Sequence, residues 1–480
     1  MTEKKNIDTD LCVIGAGAGG LSVAAGSVQL GLKTVLIEKG EMGGDCLNTG
    51  CVPSKALLAA GAAAQAQRSV AVQGVAPHDP DIDFAAVKDH VAGAIAAIAP
   101  HDSQERFENL GITVLRDAAR FAGKNTVVAG NATVTARYFV IATGSRAAVP
   151  PIEGLDKEKA LTNETIFDLK EKPGHLLIVG GGPIGIEMAQ AHLRLGCKVS
   201  VFDMGAILPR DDEKCVGILR QALLKEGVAL YEKISIKNIS HQNGGVSVTI
   251  ENDQGKEETI GGDRLLVAAG RVPQTDGLDL EKAGVTYDRT GIKTDARLRT
   301  ENKRIFAVGD VVAGAPQFTH VAGYHAGIII RNICFKIPAK TDYAALPWVT
   351  YTAPELAQAG LTEQAAREKH GDDMRIAEWP LKDNDRAVTE NKTEGLVRIV
   401  TLKNGRILGA SIVAPHAGEM ISAWALAIAQ KMKIGAVAGA IFPYPTYGEA
   451  GKRAAGAWFS EKLFSDKTRK LVGFLQKLPF

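Results

Sequence analysis

One pattern in this chain occurs twice, and it restricts the fold more than anything else. The first copy reads Leu11-Cys-Val-Ile-Gly15-Ala-Gly17-Ala-Gly-Gly20, runs through small residues, and ends Thr34-Val-Leu-Ile-Glu38. The second reads Leu176-Leu-Ile-Val-Gly180-Gly-Gly182-Pro-Ile-Gly185 and ends Val199-Ser-Val-Phe-Asp203. Each is strand, glycine turn, helix, strand, acid. The offset from first glycine to acid is the same, 38 − 15 = 23 and 203 − 180 = 23. One Gly-x-Gly-x-x-Gly is a weak signal, but two in βαβ context with matched acids point to two dinucleotide-binding units. The first glycine makes the turn, the second lets backbone approach a pyrophosphate, and the third lets helix and strand pack closely. Phosphate then sits at the helix N-terminus, where free N–H groups and the dipole favour it, and the acid accepts hydrogen bonds from a ribose.

Three further strands end in glycine turns. They are Tyr138-Phe-Val-Ile-Ala-Thr143-Gly144, Arg264-Leu-Leu-Val-Ala-Ala-Gly270 and Arg304-Ile-Phe-Ala-Val-Gly309-Asp310. The second dinucleotide unit therefore reads as an insertion in the first. From Leu346 the style changes. Pro347-Trp-Val-Thr-Tyr, Gly395-Leu-Val-Arg-Ile-Val and Arg406-Ile-Leu-Gly-Ala-Ser-Ile-Val read as antiparallel strands, followed by helical stretches near 417–432 and from 447 onward. The expected class is α/β, with two Rossmann-like domains and a C-terminal α+β domain. The divisions fall at 1–150, 151–272, 273–345 and 346–480, the third returning to the first domain.

With 480 residues the chain needs several cores, and a net charge of +2 offers nucleic acid no basic surface. No long uncharged apolar run suggests a membrane span, and the N-terminus lacks a signal-peptide h-region. A cytoplasmic location is expected. Of six cysteines, Cys12 and Cys197 read as small buried hydrophobes, and Cys215 and Cys334 as structural.

Cys46 and Cys51 differ. They lie in Gly43-Gly44-Asp45-Cys46-Leu-Asn-Thr-Gly50-Cys51-Val-Pro53-Ser54-Lys55, just after the first βαβ unit. No further Cys or His cluster completes a zinc site, so no metal site is expected. A helix starting near Cys51 lowers the pKa of that thiol, and Lys55, one turn on, adds positive charge. Local chemistry alone makes this a reactive pair.

The run Gly-Gly-x-Cys-x4-Cys-Val-Pro-x-Lys after a glycine fingerprint resembles the class I flavin disulfide reductases. Dihydrolipoamide dehydrogenase, glutathione reductase and mercuric reductase are members. The resemblance extends over nearly the whole chain: Ala142-Thr143-Gly144, Gly309-Asp310, the segment Pro347 to Leu356 at the start of a dimerisation domain, and Ala417-Gly-Glu-Met420. It implies a homodimer using FAD and a nicotinamide dinucleotide. Gly15, Gly17, Gly20 and Glu38 would bind the ADP half of FAD, with Thr143, Gly144, Gly309 and Asp310 serving the rest of it. Gly180, Gly182, Gly185, Asp203 and Gly270 would serve the second dinucleotide. Cys51 would face the flavin as thiolate, Cys46 would meet substrate, and Lys55 would lie near the flavin paired with Glu187. Asp203 suits the free 2′-hydroxyl of NAD and repels the 2′-phosphate of NADP; the first Arg after it is Arg210.

The resemblance departs near the C-terminus. Disulfide-reducing members carry His-Pro-Thr-x-x-Glu, whose His acts as base from the partner subunit. Here Tyr444-Pro445-Thr446-Tyr447-Gly448-Glu449 puts Tyr where His belongs. Tyr, with a pKa of about 10, is a poor base at neutral pH. Mercuric reductases also carry Tyr here, but the vicinal cysteines that end those chains are missing, since no cysteine follows Cys334. His320, His325 and His416 are other candidate bases. The leading expectation is NAD-linked exchange with a small-molecule or lipoyl-protein dithiol or disulfide. The rivals are a mercuric-reductase-like metal or electrophile reductase, and a flavoprotein redox sensor or complex subunit. After Glu449 the tail alternates apolar and basic residues at helical spacing, as a dimer-packing or membrane-surface helix would.

Overall fold

A computed structural model describes residues 5–242 and 244–479. The first sheet is centred on Lys5–Ile14, which pairs in parallel with Thr34–Ile37 on one side and Ala132–Ile141 on the other. Thr113–Leu115 extends it beyond Thr34–Ile37, and the antiparallel strands Thr126–Ala129 and Ala119–Gly123 extend the opposite edge. The late strand Ile305–Ala307 pairs in parallel with Ala132–Ile141, so the chain comes back to this sheet after the second unit. The central strands are covered on both faces. That is why Leu11 to Ile14 and Val35 to Ile37 read as unbroken apolar runs.

The second sheet is parallel, in the order Ala229–Tyr231, Lys198–Phe202, His175–Val179, Arg264–Val267. The antiparallel strands Ser235–Gln242, Gly245–Glu251 and Glu257–Gly262 stand beside it. The third sheet has five antiparallel strands in the order Pro347–Thr350, Glu355–Gly360, Ile407–Ala414, Leu396–Leu402, Met374–Pro380. Helices Ala417–Ala429 and Glu449–Leu463 share its apolar core.

Two expectations change in detail. The C-terminal helical stretches resolve into four helices, Ala417–Ala429, Ile434–Gly439, Glu449–Leu463 and Asp466–Leu475. Lys431, at φ +53°, ends the first run, and the Ser465 side chain caps a new helix after Phe464. The third sheet also contains Glu355–Gly360 and Met374–Pro380, which the sequence pattern did not bring out.

Both glycine turns have one geometry. Gly15 and Gly180 sit at φ +105° and +114°. A Cβ on Gly15 would lie 2.4 Å from the Ala142 carbonyl oxygen, and one on Gly180 would lie 2.4 Å from that of Ala268. A Cβ on Gly20 or Gly185 would come within 1.9 Å of the carbonyl oxygen of Gly15 or Gly180. Gly17 and Gly182 lead the helices Ala18–Gln29 and Pro183–Arg194 with extended backbone and no side-chain cap. Their Cβ positions are open, the cradle that a pyrophosphate needs at a helix N-terminus.

Candidate active site

A cavity of about 2380 Å³ runs between the three sheets. Its wall includes both glycine turns, both acids, the cysteine segment and the Gly309-Asp310 turn. Each acid holds its own turn by the same two bonds. Glu38 accepts from Ala16 N–H at 2.6 Å and Gly40 N–H at 2.7 Å. Asp203 accepts from Gly181 N–H and Gly205 N–H, both at 2.7 Å. Each carboxylate keeps lone pairs for ribose hydroxyls. Glycine cradles and placed acids together fit two dinucleotides.

Cys51 opens the helix Cys51–Ser69, and Cys46 lies in the short helix Gly44–Asn48. Gly50 joins them; a Cβ there would meet the Asp45 carbonyl oxygen at 2.8 Å. Both cysteines are free thiols. Cys51 is pulled down to about 6, first by a hydrogen bond from Cys46, then by Thr319 and the charge of Lys55, against the opposing effect of burial. Cys46 is pushed well above the ordinary thiol value, chiefly by the same bond to Cys51 and by burial. The pair thus holds its proton on Cys46 and its negative charge on Cys51. Thr319 Oγ1 lies 3.3 Å from Cys51 Sγ.

Lys55 Nζ donates to Glu187 Oε2 at 2.7 Å, and the Glu187 side chain is only 6% exposed. Its second oxygen accepts from Tyr351 N–H at 2.9 Å. The Tyr351 ring lies under the ammonium, 4.5 Å from its centroid. Lys55 comes from the helix after the first βαβ unit, Glu187 from the second unit, and Tyr351 from the loop after Pro347–Thr350. All three parts of the chain meet at this ion pair.

A second network holds the short helix that carries Cys46. Asp45 pairs with Arg271 and accepts from Thr49 Oγ1 at 2.6 Å. Arg271 donates to Ser145 Oγ at 2.6 Å, and Ser145 in turn donates to Asp310 at 2.7 Å. Burial raises the Asp310 carboxyl above its ordinary value. Gly309 N–H donates to His325 Nδ1 at 3.2 Å, and His325 Nε2 bonds Tyr343 at 2.6 Å.

The histidines are accounted for locally. His325 is fully buried, and burial lowers it to about 4. His320 lines the cavity, stacks on Phe318 and bonds the Pro347 carbonyl at 2.9 Å; burial lowers it too. His416 precedes Ala417–Ala429 and packs on Tyr447. Tyr444 does not line the protomer's cavity. It is 65% exposed, and its hydroxyl donates to Asp385 at 2.7 Å. Glu449 is buried against Arg453 at the start of its helix. The protomer therefore assembles Cys46, Cys51, Lys55 and Glu187 but leaves Tyr444 and Glu449 apart. Thr319, Tyr351, Asp45 and Arg271 join the site without having been singled out from sequence.

Comparison with known proteins agrees with this geometry. Residues 9–326 match the family described as pyridine nucleotide-disulphide oxidoreductase, and residues 346–455 match the dimerisation domain of that family. A mercuric reductase of Streptomyces lividans is 35% identical over 463 residues, covering 94% of this chain and 96% of the relative. A dihydrolipoyl dehydrogenase of Geobacillus stearothermophilus is also 35% identical, over 459 residues, with 94% and 96% covered. Among solved structures, the Cu(II) complex of the HOCl-induced flavoprotein disulfide reductase RclA from Escherichia coli superposes with a TM-score of 0.82. It is 27% identical and covers 92% of this chain and 99% of that one. With two dinucleotide cradles, a cysteine pair between them and a matched dimerisation domain, this chain belongs to the pyridine nucleotide-disulphide oxidoreductases, the flavin disulfide reductases that bind FAD and NAD(P).

Proposed function

We propose that this protein moves electrons between NADH and a small-molecule or lipoyl-type dithiol or disulfide through Cys46 and Cys51. One observation carries the reading: Cys51 opens a helix with Thr319 Oγ1 3.3 Å from its sulfur and with Lys55, held by the buried Glu187 carboxylate, one turn on, an arrangement that lowers the Cys51 thiol and leaves the proton on Cys46. Bound FAD supplies two-electron exchange with a nicotinamide on one side and with this pair on the other. The residues then divide the work. Two electrons and one proton entering the Cys46–Cys51 disulfide leave Cys46 as thiol and Cys51 as thiolate. Cys46, once deprotonated, attacks a substrate disulfide, forming a mixed disulfide and expelling one thiol. Cys51 then attacks Cys46, expelling the second thiol and restoring the disulfide. Lys55 holds the thiolate charge, and Glu187 with Tyr351 fixes the position of Lys55.

NAD is favoured because both oxygens of Asp203 are held at the turn, where a 2′-phosphate would meet negative charge. Asp203→Ser should narrow the preference for NADH in kcat/KM. Faster wild-type turnover with NADPH would refute this part. The cytoplasm suits a working dithiol, since thiols there stay reduced.

A second reading has its own observation. Tyr444 bonds Asp385, which raises its pKa, so it is a donor and not a base. That favours a soft metal ion or electrophile captured directly by thiolate, without base-assisted thiol exchange. A turnover panel decides: lipoamide, lipoyl protein, glutathione disulfide and Hg(II), each with NADH. Lipoamide turnover supports the first reading, and Hg(II) turnover alone supports the second. Turnover of none, together with an anaerobic NADH titration that leaves Cys46 and Cys51 unreduced, would defeat both.

A further inference from the structure

We infer that the C-terminal helix Asp466–Leu475 is a docking element for an anionic lipid surface. It lies beyond residue 455, where the match to the dimerisation domain ends. Ser465 caps it as a separate helix, its hydroxyl accepting from Thr468 N–H at 3.3 Å. No residue of this helix is buried in the protomer. Leu471, Phe474 and Leu475 recur at helical spacing, and Leu478 continues the same stripe just past the helix end. Phe474 is 61% exposed and Leu471 55%. At 100° per residue these side chains share one face, with Lys467 at its N-terminal end and Lys470 and Lys477 along one border.

The borders decide what covers the face. Lysine is depleted in protein–protein interfaces relative to the rest of the surface, so a stripe flanked by Lys467, Lys470 and Lys477 does not suit a second copy of the chain. Lysines beside an apolar stripe suit a bilayer surface. Their methylene stems lie along the acyl boundary while the ammonium groups reach anionic headgroups. Each basic group near an anionic leaflet adds to the attraction, and salt weakens it. Among the described residues no helix is long and apolar enough to cross a membrane, so the attachment is peripheral.

The test uses the full-length FAD-loaded protein and flotation with two kinds of vesicle, phosphatidylcholine alone and phosphatidylcholine with phosphatidylglycerol. The protein should float with the anionic vesicles at least about tenfold more strongly than with the neutral ones, and less so as salt rises. The double variant Leu471→Glu, Phe474→Glu should lose flotation while keeping NADH oxidation and dimer mass. Lys467→Glu with Lys470→Glu should lose the preference for anionic vesicles. Three results would overturn the inference. They are no flotation of the wild type, flotation unchanged in the Leu471/Phe474 variant, or that variant turning monomeric by light scattering, which would mean a second copy covers the face.

Discussion

Thr319 stands 268 residues from Cys51 in the chain and touches its sulfur. Its hydroxyl stabilises the thiolate, as does the charge of Lys55. Alkylation of the reduced enzyme by iodoacetamide should therefore titrate with an apparent pKa near 6 at Cys51. Thr319→Val and Lys55→Met should each move that midpoint up toward the ordinary 9.0. Cys46 shifts the opposite way, so attack on a disulfide should accelerate as pH rises from neutral into the alkaline range. A flat pH profile for kcat/KM with lipoamide would rule out deprotonation of Cys46 as the step that sets the rate. The cysteine pair was legible because its two members lie close together in sequence. Thr319, and Tyr351 at 164 residues from Glu187, were not, because only the folded chain brings such partners together. Arg271 was hidden the same way, 226 residues from Asp45.

At the scale of single elements, the two glycine turns make the clearest demand. Gly185→Ala would place a methyl group 1.9 Å from the Gly180 carbonyl oxygen, and backbone cannot yield that far without reshaping the turn. The variant should keep FAD, since Gly15 to Gly20 are untouched, and raise the KM for NADH at least about tenfold, or roughly 1.4 kcal/mol. Gly20→Ala should instead yield colourless apoprotein. The segment after Asp203 makes a subtler demand. It ends at Asp211, which accepts from Trp348 Nε1 at 2.8 Å and is raised by burial to about 6. A raised carboxyl favours the fold below its unfolded pKa, and that contribution is lost as pH climbs through about 6. Asp211→Asn, which retains an acceptor for Trp348, should therefore stabilise the protein by roughly 1–2 kcal/mol at pH 8 and by little near pH 4. Thermal melts at the two pH values check this. Glycine turns announce themselves because a side chain at Gly15, Gly20, Gly180 or Gly185 would strike neighbouring backbone. The strand Glu355–Gly360 stayed hidden because Ala-Gln-Ala-Gly carries neither β-branching nor alternation, although its interior is wholly buried.

At the scale of the whole molecule, the parts are joined by buried charge. Arg398, on the strand Leu396–Leu402, pairs with Asp212 of the second unit and with Glu363 and Glu378 of the third. Replacing it with Met would strand a buried aspartate and should cost about 3 kcal/mol or more in urea unfolding followed by circular dichroism. Gln190 and Arg194 also tie the helix Pro183–Arg194 to the third part, by hydrogen bonds to the Ala353 carbonyl. The architecture was legible from sequence because its periodicities are local. The joints were not, because each depends on where distant surfaces come to rest.

The junction of Lys55, Glu187 and Tyr351 makes the protein a gauge of its own assembly. Its three members belong to three parts of the chain, whereas each nucleotide cradle lies within one. Gentle heating that loosens the third part would withdraw Tyr351 from Glu187 and leave both cradles intact. The expected sequence on warming is loss of turnover first and release of yellow colour only later, with a silent but still coloured protein in the interval.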